Sequence, residues 1–195
     1  MTGERERMLR GEFYDSRDPE LLALAHRARA LLARYNRSDS TDVTGRRLVL
    51  EELLGFAGEG VWIEPPFFCD YGTNISIGAA TFVNVNCVML DSAPISVGAF
   101  GLVGPGVQLL TVTHPAAAAE RIVAESGISG PGAPYRTRAA PIRIGDRVWL
   151  GAGAIVLPGV TIGDEATIGA GSIVTSDIPA AVLAYGQPCT VRRRL

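Results

Sequence analysis

The chain has 195 residues, of which 47% are hydrophobic, and it carries a formal net charge of −2. Length and composition predict one globular domain with a small appendage, and a charge this small gives no electrostatic reason to expect nucleic acid or a membrane surface as a partner. No apolar run approaches the roughly 18 residues of a membrane span, and the N-terminal MTGERERMLR lacks the apolar core of a signal peptide. We therefore expect a cytoplasmic protein.

The first sixty residues have the sequence pattern of paired helices. Asp18 can cap a helix, Pro19 suits its first position, and Glu20 suits the positive end of the helix dipole. A stripe at helical spacing follows, made of Leu21, Leu24, Ala25, Ala28, Leu31, Leu32 and Tyr35. A second helix is predicted from about Asp42 to Leu54. Residues 1–60 are thus expected to form an N-terminal helical cap segment.

From Ile142 onward, apolar residues recur at every sixth position in two registers. The first register contains Ile142, Val148, Ala154, Val160 and Ala166, and the second contains Ile144, Leu150, Val156, Ile162, Ile168 and Val174. This period matches neither the period of a helix, about 3.6, nor that of a strand, about 2. It is typical of a parallel β-helix, in which short strands stack rung on rung and each rung covers the apolar face of the next.

The same period extends upstream to Ile77, with a slip of two residues around Asp91–Pro94 that predicts a short excursion. The period is lost from Pro115 to about Ala140, in a stretch rich in Ala, Gly, Ser and Pro. Loops of this length in compact domains are usually functional or mobile. We therefore predict an all-β fold: a β-helix domain over residues 61–186, a loop extruded over 115–140, and a basic C-terminal tail over 187–195.

The three cysteines, Cys69, Cys87 and Cys189, are odd in number and match no metal-ligand spacing. Cysteine prefers burial, so we interpret them as packing residues in a reducing environment. The sequence also lacks a Ser/His/Asp order and a phosphate-binding loop, and no metal site is expected.

Only two histidines are available for acid–base chemistry. His26 lies inside the first predicted helix and is interpreted as a packing or surface residue. His114 ends the rung-like segment QLLTVTH, and Pro115 restricts it to an extended conformation that would direct the imidazole off the end of the rung. A neutral imidazole can accept a proton near pH 7. From the residues alone, a loop histidine without function remains an equal alternative, and a turn residue is the competing interpretation of Asn84.

Several segments carry a resemblance that spans nearly the whole chain. TVTHP and RVWLGAGAIVLPGVTIG are typical of hexapeptide-repeat acyltransferases, whereas GEFYD and FFCDYGTNISIG are typical of one branch of them. The chain thus resembles the maltose/galactoside O-acetyltransferases. The resemblance implies a left-handed coil, where the general rule for parallel crossovers would give a right-handed one. It also implies a homotrimer with active sites between adjacent coils.

The resemblance also implies roles for individual residues. His114 matches the general base, which takes the proton of an acceptor hydroxyl as that oxygen attacks the thioester of acetyl-CoA, without a covalent acetyl-enzyme. Asp15 and Asn84 match residues that hold the acceptor, and the main-chain N–H of Ala152 matches the donor to the developing oxyanion. The cofactor groove is expected to be lined by Gly104, Trp149, Ala152, Ala170, Thr175 and Ser176.

This sequence departs from the family pattern at three positions. Ser176 and Thr190 stand where the family often has basic residues that would bind the phosphates of CoA, so we expect Arg192–Arg194, Arg193 among them, to supply that charge instead. A solvated, frayed chain end is the alternative. Ser92 stands where galactoside enzymes carry a second Asp after Asp91, which argues against a galactoside acceptor.

These features together predict an acetyl-CoA-dependent O-acetyltransferase that acts on a hydroxyl of a sugar or similar acceptor. One alternative is an acyltransferase for an amine or an antibiotic. The other is a non-catalytic β-helix scaffold that binds a partner through the 115–140 loop. The orientation of His114 distinguishes an enzyme from a scaffold. In an enzyme, His114 should face a groove that contains a nearby carboxylate and an oxyanion donor. In a scaffold, His114 can point into open solvent.

Overall fold

A computed structural model describes residues 3–122 and 135–195. The described helices are α1 (Glu4–Leu9), α2 (Pro19–Asn36), α3 (Val43–Leu53) and the short α4 (Ala118–Arg121). Asp18 caps α2 by accepting the Glu20 N–H, and Asp42 caps α3 by accepting the Gly45 N–H. Both predicted helices are confirmed at their predicted start signals, whereas α1 was not predicted.

Three sheets form the faces of the coil, and their strands are parallel except for the last strand of the second sheet. The first contains β1 (Phe56–Ala57), β4 (Ile75–Ile77), β7 (Ile95–Val97), β12 (Ile142–Ile144) and β15 (Thr161–Ile162). The second contains β2 (Trp62–Ile63), β5 (Phe82–Val83), β8 (Leu102–Val103), β13 (Trp149–Leu150), β16 (Thr167–Ile168), β18 (Val182–Gly186) and β19 (Cys189–Arg194). The third contains β3 (Phe67–Cys69), β6 (Cys87–Leu90), β9 (Gln108–Leu110), β14 (Ile155–Val156) and β17 (Ile173–Val174). The predicted parallel β-helix is confirmed.

The core of the coil consists of the two apolar registers found in the sequence. Leu150, for example, pairs with Val103 on one side and with Ile168 on the other, and all three are buried. The helical cap closes the first rung, because Tyr35 packs into the same core and its hydroxyl donates to the carbonyl of Ile63. The three cysteines are free and buried, as their interpretation as packing residues predicted.

Extra residues accumulate at one corner of the coil, between the third and first sheets. Ile75 pairs with Ile95, 20 residues later in the chain, whereas Arg143 pairs with Thr161, 18 residues later. The early turns are therefore two residues longer than the later ones. The additional residues lie in segments 70–74 and 91–94, and the loop after β9 leaves from the same corner in the next turn. We call these segments, together with residues 111–141, the expanded corner.

The base of the loop is a small antiparallel ladder. β10 (Val112–Thr113) pairs with β11 (Arg138–Ala139), and the N–H of Ala140 donates to the carbonyl of Thr111, where the chain rejoins the coil. The predicted loop over 115–140 therefore begins and ends in ordered backbone pairing, and its residues 123–134 lie outside the described part of the chain.

The C-terminal segment is part of the second sheet. β19 pairs antiparallel with β18, so residues 189–194 form a strand instead of the frayed end that was the alternative expectation. No described helix is long and apolar enough to cross a membrane. Among the described residues, no group of three or more His, Cys, Asp or Glu side chains could hold a metal ion.

Candidate active site

A buried carboxylate holds the expanded corner together. Asp91 is fully buried and accepts the backbone N–H groups of Asp70 at 3.1 Å, Tyr71 at 2.8 Å and Asn74 at 3.2 Å. Burial raises the pKa of Asp91, and the N–H donors act in the opposite direction. These three hydrogen bonds fix segment 70–74 against segment 91–94. Asp91 therefore determines the backbone conformation of the expanded corner.

A cavity of about 310 Å³ opens at this corner. It is lined by the N-terminal segment and α2, by the two excursions, and by the base of the loop: Tyr14, Ser16, Leu21, Leu22, Ala25, Arg29, Asp70, Tyr71, Ser92, Val112, His114 and Thr137. Leucine and alanine side chains of α2 contribute an apolar side, and the excursions contribute a carboxylate and hydroxyl groups. Such a mixture of apolar surface and a few polar groups is typical of small-molecule sites.

His114 reaches the cavity with a defined tautomer. Its Nδ1 lies 2.9 Å from the carbonyl oxygen of Arg136. A carbonyl can only accept a hydrogen bond, so Nδ1 carries the hydrogen and Nε2 of the neutral ring holds a free lone pair. The Tyr135 ring lies edge-on to the imidazole, with the ring centroids 6.2 Å apart. His114 can therefore accept a proton at Nε2.

A second titratable group, Asp70, lines the same cavity. Desolvation first and the charge of Asp91 second raise the pKa of Asp70 to about 6, while the Arg29 guanidinium acts in the opposite direction. Sequence reasoning missed both Asp70 and Arg29. Asp70 could have been found from the sequence. Cys69 and Ile77 are eight positions apart instead of six, which is the same two-residue slip in the repeat that marks the excursion at Asp91–Pro94.

Asp15 lies beside this cavity but does not line it. Its carboxylate accepts the backbone N–H of Arg17 at 2.9 Å and the Arg17 Nε–H at 3.1 Å. These hydrogen bonds lower the pKa of Asp15. The adjacent residues Tyr14 and Ser16 face the cavity instead.

The other predicted acceptor and oxyanion residues lie at a different corner, between the second and third sheets. A Cβ added to Gly104 would lie 2.7 Å from the nitrogen of Ala152, and one added to Gly151 would lie 2.5 Å from that of Ala170, so these turns stack closely. Asn84 occupies the corresponding turn after β5. Within the described residues, the N–H of Ala152 meets no acceptor. One chain brings Asn84, Gly104, Ala152 and Ala170 together but does not bring them to His114.

The outward face of the second sheet carries a stacked row of side chains. Strand register aligns Trp62, Phe82, Leu102, Trp149, Thr167, Leu183 and Arg193. Trp149 is 51% exposed and Leu102 is 46% exposed. Thr175 and Ser176 are also exposed, but they follow β17 at the corner between the third and first sheets, on the same side of the coil as the expanded corner.

Two of the C-terminal arginines, Arg192 and Arg193, differ in their surroundings. The guanidinium of Arg192 lies 4.6 Å from the centroid of the Tyr185 ring and donates to the Tyr185 carbonyl at 3.2 Å. Arg193 is opposite Leu183 at the end of the stacked row, with an exposed side chain. Arg193 is therefore better placed than Arg192 to meet a ligand on this face.

Comparisons with known proteins cover the entire chain. Residues 7–58 match the maltose acetyltransferase hexapeptide capping motif, and residues 141–176 match the hexapeptide repeat of succinyl-transferase. Nodulation protein L of Rhizobium meliloti is 47% identical over 97% of both chains.

Solved structures give the same result. A hexapeptide-repeat acetyltransferase of Vibrio cholerae in complex with acetyl coenzyme A superposes with a TM-score of 0.86 and 36% identity, covering 99% of this chain and 98% of the other. A galactoside acetyltransferase in complex with coenzyme A superposes with a TM-score of 0.90 and 34% identity, covering 100% of this chain and 92% of the other.

The raised pKa of Asp70 predicts a pH dependence of stability. The unfolded carboxyl titrates near its ordinary pKa of 3.8 and the folded one near about 6, so the folded protein binds more protons between these values. The free energy of unfolding should therefore fall as pH rises through this window. Asp70→Asn should remove this loss and stabilise the protein at pH 7 by about 1–2 kcal/mol, a value reduced because the side chain is partly solvated.

Urea denaturation at pH 4, 5, 6 and 7 measures this effect. Glu59→Gln, at an exposed position away from the cavity, is the control and should leave the pH dependence as it is in the parent protein. A parent-like pH dependence in Asp70→Asn would show that this carboxylate is not the group responsible.

Proposed function

The chain belongs to the maltose/galactoside O-acetyltransferase family of acetyl-CoA-dependent hexapeptide-repeat enzymes, and on this premise we propose that it acetylates a hydroxyl of a sugar or sugar-like acceptor, with His114 as general base. One observation carries the proposal: Nδ1 of His114 faces the Arg136 carbonyl, which leaves Nε2 as the nitrogen that can accept a proton, and this histidine lines a cavity together with a carboxylate. The Asp70 carboxylate in the same cavity favours an enzyme over a scaffold, although the His114 side chain is exposed and the oxyanion donor lies at another corner in the single chain. The amine or antibiotic acceptor remains the alternative within the enzyme class.

The chemistry follows from the tautomer of His114. The acceptor hydroxyl gives its proton to Nε2 while its oxygen attacks the carbonyl carbon of the acetyl thioester. The Nδ1–H donated to the Arg136 carbonyl stabilises the imidazolium that results. The tetrahedral intermediate then collapses, the carbon–sulfur bond breaks, and the imidazolium returns the proton to the departing thiolate of CoA. General-base assistance of this kind contributes about 10²–10⁴-fold in rate.

The cavity walls support a sugar-like acceptor. The carboxylate of Asp70 and the hydroxyl of Ser92 can hydrogen-bond to several hydroxyl groups, and Leu21, Leu22 and Ala25 offer a surface for the C–H face of a ring. Asp15, beside this cavity, and Asn84 are proposed to hold the acceptor near His114. The proposed oxyanion donor is the Ala152 N–H; one such donor is worth about 3 kcal/mol.

The separation of the site residues supports a shared active site. Asn84 and Ala152 lie at one corner and His114 lies at another, so the site is complete only when a second copy places the first corner against the cavity. The exposed apolar row around Trp149 and Leu102 supplies surface for such packing. We therefore propose a homotrimer with acetyl-CoA bound between adjacent coils.

The proposed cofactor groove runs along that boundary. We propose that this groove is lined by Gly104, Trp149, Ala152, Ala170, Thr175 and Ser176. Arg193 is proposed to contact the phosphates of CoA, because its exposed guanidinium ends the row that contains Trp149 and can present forked donors to phosphate oxygens.

Loss of the base should reduce turnover. His114→Ala is expected to lower kcat by at least about 10²-fold with nearly unchanged affinity for CoA, because the change removes the proton acceptor and leaves the groove intact. Steady-state kinetics and calorimetric binding of CoA measure the two quantities. His26→Ala, which changes the only other histidine, is the control. Near-normal turnover in His114→Ala would remove this residue from the chemistry.

Assembly can be tested by mass and by complementation. Light scattering should give roughly three times 20.6 kDa. His114→Ala and Asn84→Ala should each be nearly inactive, and refolding the two together should restore activity, because some interfaces then combine an intact His114 with an intact Asn84. A monomer at micromolar concentration, or mixed trimers without recovered activity, would contradict a shared site.

The arginines should differ in their effect on the cofactor. Arg193→Ala is expected to weaken CoA binding several-fold and to flatten its salt dependence, since one charge contact with the phosphates is lost. Arg192→Ala is the matched control, because its guanidinium is already held by Tyr185. Calorimetry at low and high ionic strength measures both variants. Equal CoA affinity in the parent and Arg193→Ala at low salt would assign no cofactor contact to Arg193.

A further inference from the structure

The N-terminal segment crosses the strand that returns from the loop. The N–H of Tyr14 donates to the carbonyl of Thr137 at 3.1 Å, and the two residues form an antiparallel bridge. At the next crossing point, Gly11 adopts a φ of +73°, and a Cβ on it would lie 3.0 Å from the carbonyl oxygen of Ala139. The two segments are therefore in close backbone contact beside the cavity.

One aromatic ring joins these two segments through their side chains. The ring centroid of Phe13 lies 5.7 Å from the guanidinium carbon of Arg136 and 6.0 Å from that of Arg138. Arg136 and Arg138 are two residues apart on an extended segment, so both side chains project from the same side of it. Their like charges repel, and the negative face of the ring attracts each of them. Phe13 thus holds both arginines in place.

The carbonyl that fixes His114 belongs to the first of these arginines. Arg136 is further restrained by the hydrogen bond from its N–H to the Arg121 carbonyl at 2.7 Å. If the Arg136 peptide turned, its carbonyl would leave Nδ1 of His114. The imidazole could then carry its hydrogen on Nε2, and a protonated Nε2 cannot accept the hydroxyl proton.

We infer that Phe13, whose ring lies within cation–π distance of both Arg136 and Arg138, is a positioning residue that keeps the His114 tautomer ready for catalysis. The GEFYD segment thereby has a second role besides presenting Asp15. Phe13 touches no reacting atom and acts through the Arg136 carbonyl. The inference rests on the proposed role of His114 as the base.

The test compares three variants of the full-length protein. Phe13→Ala removes the ring, Phe13→Trp restores a stronger partner for the guanidinium groups, and Leu9→Ala is the matched control. Leu9 is 39% exposed and Phe13 is 38% exposed, and both precede α2. Nitrogen-15 NMR of the imidazole nitrogens reports the tautomer directly, and assignment is simple because the chain has only two histidines.

Phe13→Ala should shift the His114 signals from the Nδ1–H form toward a mixture of tautomers, and Phe13→Trp should retain the parent spectrum. In kinetics, Phe13→Ala should lower kcat by about tenfold while changing KM for acetyl-CoA by less than about twofold, because small displacements of a catalytic group are costly. Leu9→Ala should leave both quantities near those of the parent.

A parent-like tautomer in Phe13→Ala would overturn the inference, as would a loss of kcat no larger than in Leu9→Ala. The NMR result does not depend on activity. If His114→Ala proved fully active, the proposed function would fail while the tautomer measurement still decided whether Phe13 orients the ring.

Discussion

Stacking in register is the constraint on which this molecule depends. Each rung of the coil must place its apolar residues over those of the rung below, so residues added to a turn can leave only at a corner. Three successive turns add residues at the same corner, and the third addition is the long loop. The buried carboxylate of Asp91 makes this possible, because it satisfies N–H groups that the enlarged turn would otherwise leave unpaired. The cavity forms because the extra residues of the three turns lie at the same corner of the coil.

The helical cap contributes to the site as well as to stability. α2 closes the first rung with Tyr35 and at the same time lines the cavity with Leu21, Leu22 and Ala25. The preceding segment crosses the return strand of the loop through Tyr14. His114, the carbonyl that its Nδ1 faces and the remaining cavity walls thus come from separate parts of the chain. A defined geometry of this kind is required for general-base catalysis, which is sensitive to small displacements.

The sequence was sufficient for the repeat and for the helices α2 and α3, because both patterns are periodic and the start signals of these helices are local. It proposed His114, since a histidine before Pro115 at the end of a rung is locally unusual, and the structure places this residue on the cavity. It did not identify α1. It missed Arg29, whose relevance arises only when distant segments meet, and Asp70, which the two-residue slip between Cys69 and Ile77 could have indicated. It also could not show that Asn84 and His114 lie at different corners, because that separation depends on how many residues each turn contains. The C-terminal arginines formed a strand, since β18 offered an edge for pairing.

A crystal structure with a non-hydrolysable acetyl-CoA analogue would test most directly the claim that acetyl transfer occurs where the expanded corner of one copy meets the Ala152 corner of another. We predict that the carbonyl oxygen of the analogue lies about 2.7–3.1 Å from the Ala152 nitrogen, with its carbonyl carbon facing the cavity that contains His114 of the adjacent copy. An analogue whose carbonyl lies away from His114, or whose groove is formed by one chain alone, would contradict the account.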